Sequence, residues 1–332
     1  MEQEILKQTI GRLMARPKGI LAIDESIETC NKRFTALGVE TTEEKRREYR
    51  ELLVTAPEIE QYVSGFIIFD ETFRQADATG KSFVEILKQK GIEPGIKVDA
   101  GAKDFPLHEG EKITEGLDGL RDRLKEYAQL GATFAKWRAV ITIGDGLPTD
   151  ADLLANADAL ARYALACQEA GIVPIVEPEV LMDGDHTIDR CYEVTAHNLD
   201  ILFAQLKAMD VWISGVILKT SMVIAGKNAP VQSTVPEVAE QTLKCLREHV
   251  PADIGGIVFL SGGQDDEAST LHLNVMHQMG ELPWPLTFSY GRAIQNPALK
   301  SWAENPADVA GAQAKLLERC KANSLASVGE YK

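Results

Sequence analysis

Short apolar runs, each bounded by glycine, proline or a polar cluster, recur along the chain with helix-length segments between them. GILAID (19–24), SGFIIF (64–69), GIKVD (95–99) and TFAKWR (133–138) are followed by IVPIVE (172–177), SGVILK (214–219), GGIVFL (255–260) and LTFSY (286–290). Their length and their β-branched and aromatic content predict eight buried strands. The intervening segments, among them TTEEKRREYRELLVTA, EGLDGLRDRLKEYAQLGA, DADLLANADALARYALACQEAG and STVPEVAEQTLKCLREHV, carry apolar residues three and four apart. Several open on Thr, Ser or Asp and close on Gly, as capped helices do. Eightfold β-α alternation is the pattern of a TIM (β/α)8 barrel, and an open doubly wound sheet is the alternative that periodicity alone leaves standing. The chain is read as a single domain over 1–332. An extra helix is expected over about 1–18 and a closing helix over about 306–320, with Asn305 as its N-cap and Pro306 at its first position.

In a parallel barrel the chemistry gathers at the C-terminal ends of the strands. Those positions hold Asp24, Lys97, Lys136 with Arg138, Glu177 with Glu179, Lys219, Ser261 with Gly262, and Gly291 with Arg292. Residues two apart on a strand share a face, so Lys136 and Arg138 point the same way, as do Glu177 and Glu179. If Trp137 and Ala135 face the helices, Lys136 faces the barrel. The second strand ends in FDETF, where Asp70 and Glu71 are assigned to capping the next helix. A structural ion-pair network is the bland explanation for this set, but a barrel interior without function is filled by Val, Ile and Leu.

Composition narrows the partners. A formal charge of -15 over 332 residues excludes an extended phosphate-binding surface and with it nucleic acid. The N-terminal MEQEILKQTIGRLMARPKG lacks the apolar core of a signal peptide, and no stretch approaches the roughly 20 apolar residues of a membrane span. Five scattered cysteines without a CxxC pair fit reduced thiols and a cytoplasmic location.

A lysine ending a buried strand, near a second lysine and carboxylates, becomes a nucleophile if its ammonium is disfavoured. Repulsion from Lys136 and desolvation are the expected causes at Lys219. Its free amine attacks a ketone, and the resulting Schiff base withdraws electrons so that a neighbouring carbon–carbon bond breaks. Glu177, Glu179 and Asp24 are the acid/base candidates, on the expectation that shielding raises a carboxyl group toward neutrality. SGGQ and SYGRA, after the seventh and eighth strands, have the glycine turns and the arginine of a phosphate site. The six histidines, His108, His186, His197, His249, His272 and His277, lie in expected helices or loops and are read as surface or structural. No metal and no other cofactor is expected.

KGILAIDES, GIKVD, FAKWR, GIVPIVEPE, ILKTSMV, FLSGGQ and TFSYGRA resemble, in order, the active-site motifs of class I (Schiff-base) fructose-1,6-bisphosphate aldolase. The likeness runs from about Lys18 to Tyr331. It implies a TIM barrel, homotetrameric and metal-independent, that cleaves fructose 1,6-bisphosphate to dihydroxyacetone phosphate and glyceraldehyde 3-phosphate in glycolysis and gluconeogenesis. By resemblance Lys219 is the Schiff-base lysine and Glu177 the acid/base of dehydration and cleavage. Asp24 and Lys136 act around the C4 hydroxyl and the carbinolamine, and Glu179 supports the lysines. Ser261, Gly262, Gly291 and Arg292 correspond to the C1-phosphate site, and Lys97, Arg138 and Ser26 to the other phosphate. Thr29 stands where many members have serine, and ILKTSMV lacks a proline common beside the lysine. Many members carry a C-terminal tyrosine tail that assists enamine protonation. Here the chain reads ANSLASVGEYK, so water or a barrel residue is expected to protonate, with Tyr331 too close to the closing helix to reach the mouth. A related ketose bisphosphate such as sedoheptulose 1,7-bisphosphate, and a catalytically silent scaffold, are the competing functions.

Overall fold

In the computed structural model, which describes residues 2–332 with side chains from Gln3 onward, the eight apolar runs are the strands of a closed parallel barrel. The chain begins α1 (Glu2–Leu13), β1 (Gly19–Ile23), α2 (Ile27–Ala36), α3 (Glu43–Val54), β2 (Val63–Ile68), α4 (Asp70–Phe73), α5 (Phe83–Gln89) and β3 (Glu93–Lys97). An antiparallel hairpin, β4 (Ala102–Asp104) and β5 (Lys112–Thr114), precedes α6 (Leu120–Leu130), β6 (Phe134–Ile141), α7 (Asp150–Glu169), β7 (Val173–Val180) and α8 (Ile188–Ala208). Then come β8 (Ile217–Thr220), α9 (Val235–His249), β9 (Gly256–Phe259), α10 (Asp266–Gln278), β10 (Leu286–Tyr290), α11 (Arg292–Glu304) and α12 (Val309–Ala326). β10 pairs in parallel with β1, which closes the ring and makes the fold a TIM barrel rather than an open sheet.

The two faces of the strands feed two separate cores. Ile20, Ala22, Ile67, Phe134, Val173, Ile175, Ile217 and Val258 meet inside the barrel with Leu6, Ile10 and Leu13 of α1 and with Met14, which follows it. The extra N-terminal helix therefore plugs one end of the barrel. A Cβ on Gly95 would overlap the Phe134 ring, so this glycine makes room for the large side chain inside. Outside, Trp137 packs on Tyr163 of α7 with ring centroids 5.6 Å apart, placing Lys136 on the opposite, interior face as alternation requires. Thr42 caps α3, and Thr234 caps α9 in a reciprocal capping box with Glu237.

Three expectations are corrected. The closing helix begins at Val309 with Asp308 as N-cap, its carboxylate accepting from the Gly311 N–H at 2.9 Å. Asn305 instead ends α11, where its N–H is spent on the Ser301 carbonyl, and α12 runs on to Ala326 because Asn323, Ser324 and Ala326 are buried. Asp70 and Glu71 do not cap α4. Asp70 accepts from Tyr127 Oη and Arg74 Nε, and Glu71 takes the Arg46 guanidinium bidentately with both contacts at 2.7 Å. The β4–β5 hairpin was not expected, its strands being only three residues long and polar.

Candidate active site

Strand register brings the interior charges together. Ile175 pairs with Ile217 and Val176 with Leu218, which sets Glu177 level with Lys219. Lys136 lies opposite Ile175, so it reaches Glu177 diagonally on the same face. Lys219 Nζ is 3.2 Å from Glu177 Oε1, and Lys136 Nζ is 3.3 Å from Glu177 Oε2 and 2.7 Å from Asp24 Oδ2. The lysine and Glu177 side chains are at most 5% exposed. Two cations and two carboxylates thus balance in a shielded space, as buried charges must. Glu177 Oε2 accepts no hydrogen bond, leaving a lone pair held only by the nearby charge of Lys136.

The electrostatics at Asp24 run against the expected rise of its carboxyl toward neutrality. Burial pushes its carboxyl up, but Lys136, Lys219 and Lys97 pull harder and hold it well below the usual carboxylate range. Asp24 is therefore ionised beside Lys136. Burial likewise disfavours charge on Lys136, yet Asp24 and Glu177 override it and hold the ammonium well above the usual lysine range. Lys219 and Lys136 each meet a different oxygen of Glu177, so one carboxylate is shared between the two ammonium groups.

Beside this cluster lies a second. Arg138 Nε donates to Glu179, so Glu179 supports the arginine and not the lysines, another correction. Burial lowers the Arg138 guanidinium's affinity for its proton, and Glu179 more than restores it. Asp99, missed in the sequence, joins the two strands: its Oδ1 accepts from Lys97 Nζ at 2.6 Å and from Gly101 N at 3.1 Å, and its Oδ2 from Arg138 N at 3.2 Å. Lys97 also donates to the Asp99 carbonyl at 2.9 Å. The signal was present, since Asp99 is two residues beyond Lys97 on the same face. Glu25, also missed, accepts from Arg50 at 2.8 Å and Gln295 at 3.0 Å and so ties the end of β1 to α3 and α11.

The glycine loops converge as expected. In SGGQ the Gln264 N–H donates to the Ser261 carbonyl at 2.9 Å, with φ of 59° at Gly262 and 90° at Gly263, a turn that only glycines form without strain. Gly291 is the N-cap of α11, where a Cβ would come within 3.2 Å of the Ala22 carbonyl. A Cβ on Gly263 would lie 3.5 Å from Arg292 Nη2, so the guanidinium overhangs the other loop. Ser26 caps α2: its Oγ accepts from the Thr29 N–H at 3.3 Å and donates to Thr29 Oγ1 at 3.1 Å.

Among the described residues no group of three or more His, Cys, Asp or Glu is placed to hold a metal ion. His272 and His277, on α10, are pushed down to about 4 chiefly by burial. Tyr331 is docked on α10, its hydroxyl donating to Glu267 Oε1 at 2.6 Å and its backbone paired with Asn274.

The chain matches the family described as fructose-bisphosphate aldolase class-I over residues 5–332. A relative from Xanthomonas campestris pv. campestris, described as a probable fructose-bisphosphate aldolase class 1, is 56% identical over 333 residues spanning 100% of each chain. A chloroplastic fructose-bisphosphate aldolase 1 of Chlamydomonas reinhardtii is 49% identical across 99% of this chain and 87% of its own. The solved fructose-bisphosphate aldolase of Plasmodium falciparum, crystallised with TRAP and a small-molecule inhibitor, superposes with a TM-score of 0.98 at 44% identity, covering 100% of this chain and 96% of that one. The barrel therefore belongs to the class-I fructose-bisphosphate aldolase family.

Proposed function

We propose that the barrel mouth cleaves fructose 1,6-bisphosphate reversibly through a Schiff base on Lys219. The carrying observation is the 3.2 Å approach of Lys219 Nζ to Glu177 Oε1, both side chains buried in the barrel. Glu177 takes the proton that frees the Lys219 amine, which attacks the ketone carbon to form a carbinolamine. Glu177 returns a proton to the departing hydroxyl, and water leaves as the iminium forms. Glu177 next takes the C4 hydroxyl proton; the C3–C4 bond breaks, its electrons flow to the iminium nitrogen, and glyceraldehyde 3-phosphate departs. Protonation of the enamine at C3 and hydrolysis of the iminium release dihydroxyacetone phosphate and restore the amine. Lys136, anchored by Asp24, supplies a fixed positive charge beside the hydroxyls. Ser261, Gly262, Gly291 and Arg292 hold the C1 phosphate, while Lys97 with Arg138, Ser26 and Thr29 serves the other.

Water or a barrel residue protonates the enamine, a role kept from Tyr331 by its bond to Glu267. The protein works as a cytoplasmic homotetramer; five buried, unpaired cysteines support the compartment and the family resemblance supports the assembly. No helix among the described residues is long and apolar enough to cross a membrane. A coupled assay on fructose 1,6-bisphosphate and on sedoheptulose 1,7-bisphosphate, each with and without chelator, tests the proposal. Chelator-insensitive cleavage that favours the former supports it, and chelator-abolished turnover or a preference for the latter overturns it. Sedimentation velocity tests the tetramer.

A further inference from the structure

We propose that Arg319 is a positioning residue for the phosphate site, bracing the first turns of the two helices that carry it; this rests on the assignment of Ser261, Gly262, Gly291 and Arg292 to the C1 phosphate. The need for a brace is written into α11. Pro297 sits inside that helix and has no N–H, so the carbonyl four residues earlier, that of Ala293, is left without its i+4 donor. Arg319, on the closing helix α12, donates from Nε to that carbonyl at 3.3 Å. Ala293 immediately follows Arg292, so the bond fixes the turn from which the phosphate-binding guanidinium springs.

The other end of the Arg319 fork grips α10. Nη2 donates to the Asp266 carbonyl and, at 2.6 Å, to Thr270 Oγ1, while Nη1 meets Glu267 Oε2 at 3.1 Å. One planar group, 12% exposed, therefore joins the start of α11 to the start of α10, the helix that follows the SGGQ turn. Arg319 is itself held in place: Asn323 donates to its carbonyl at 2.9 Å and accepts from Thr270 at 2.9 Å. Glu267 is held by the Tyr331 hydroxyl. The quantity so fixed is the gap between Gly263 and Arg292, across which a phosphate would accept from backbone N–H groups on one side and the guanidinium on the other. None of these contacts touches Lys219, Glu177, Asp24 or Lys136, so the brace acts on phosphate affinity and not on the chemistry.

The test is Arg319→Lys, which keeps the charge but loses the fork that spans both helices. Borohydride trapping is titrated with dihydroxyacetone phosphate and, separately, with unphosphorylated dihydroxyacetone, alongside KM and kcat for fructose 1,6-bisphosphate. The half-saturating concentration of the phosphorylated ligand and the KM should rise roughly tenfold, the scale of one lost charged hydrogen bond, with kcat and trapping by dihydroxyacetone within about twofold. Adding Pro297→Ala, which restores an N–H donor to the Ala293 carbonyl, should recover part of that loss, an outcome a merely structural role would not produce. Unchanged affinity in a folded variant, or equal losses for both ligands, overturns the proposal. If Arg319→Lys does not fold, Glu267→Gln, which releases one anchor of the guanidinium, should weaken the phosphorylated ligand about threefold and leave the other alone, and no such split overturns it. Arg292→Ala run in parallel separates the two claims: if it leaves phosphate affinity intact the site assignment fails, whereas if it weakens affinity and Arg319→Lys does not, the bracing inference alone fails.

Discussion

Replacing Glu177 with glutamine keeps the side chain's shape and removes its charge and its proton. At 3.2 Å from Lys219, and with an effective dielectric of about 20, the carboxylate favours the ammonium by about 5 kcal/mol. Losing it leaves two buried cations facing Asp24 alone, an imbalance that disfavours charge in the cluster. That change favours nucleophilic attack. Opposing it is the loss of the group that shuttles protons in dehydration and cleavage, steps to which a positioned acid or base contributes about 10²–10⁴-fold, or roughly 3–5 kcal/mol of barrier. Proton transfer recurs at every later step, so its loss should dominate. Glu177→Gln is expected to lower kcat by about 10²–10⁴-fold with KM within about threefold, as a coupled NADH-linked assay would read. Slow borohydride trapping at Lys219 should survive. A kcat within tenfold of the parent, in a variant with the parent's melting temperature, would refute the assignment of Glu177.

Asp24→Asn should flatten the acid side of the stability profile. Its folded carboxyl is held below the unfolded value, so its stabilisation is nearly complete above about pH 4 and is lost as pH falls toward the folded value; urea midpoints of parent and variant should differ most at pH 7, and the difference should shrink progressively as pH falls below about 4. Asp152 runs the other way. Burial first and Glu111 second push it up to about 7, so its stabilisation is lost as pH rises through about 7, and Asp152→Asn should gain melting temperature relative to the parent at pH 8 more than at pH 5. Arg292→Ala should raise KM for fructose 1,6-bisphosphate by about tenfold or more and leave cleavage of a ketose without a C1 phosphate nearly unchanged. Deleting residues 330–332 should leave exchange of the substrate's carbon-bound proton with solvent almost unaffected, and a selective collapse of that exchange would return the proton-transfer role to Tyr331.

The barrel was legible because parallel strands buried on both faces must be written as near-continuous apolar runs, and each of the eight appears where the sequence places it. Strand-end chemistry was legible for the same reason, since Lys136, Glu177 and Lys219 interrupt runs that packing alone would fill with aliphatics. Partner choice was not. Glu179 pairs with Arg138 and not with a lysine, and Asp24 pairs with Lys136, because charge balance depends on distances between strands far apart in sequence. Arg319 was invisible for a related reason: its value comes from the carbonyl that Pro297 leaves unpaired in a different helix. The β4–β5 hairpin has too few residues to show a period, and the true cap of α12 lost to an Asn-Pro pair that fits the start-of-helix pattern equally well.

Borohydride reduction in the presence of dihydroxyacetone phosphate, followed by peptide mapping, tests the central claim most directly. The Schiff-base account predicts progressive inactivation, insensitivity to chelator, and one reduced adduct per chain on the peptide that contains Lys219. An adduct on Lys136 or elsewhere, or full activity after reduction, would contradict it.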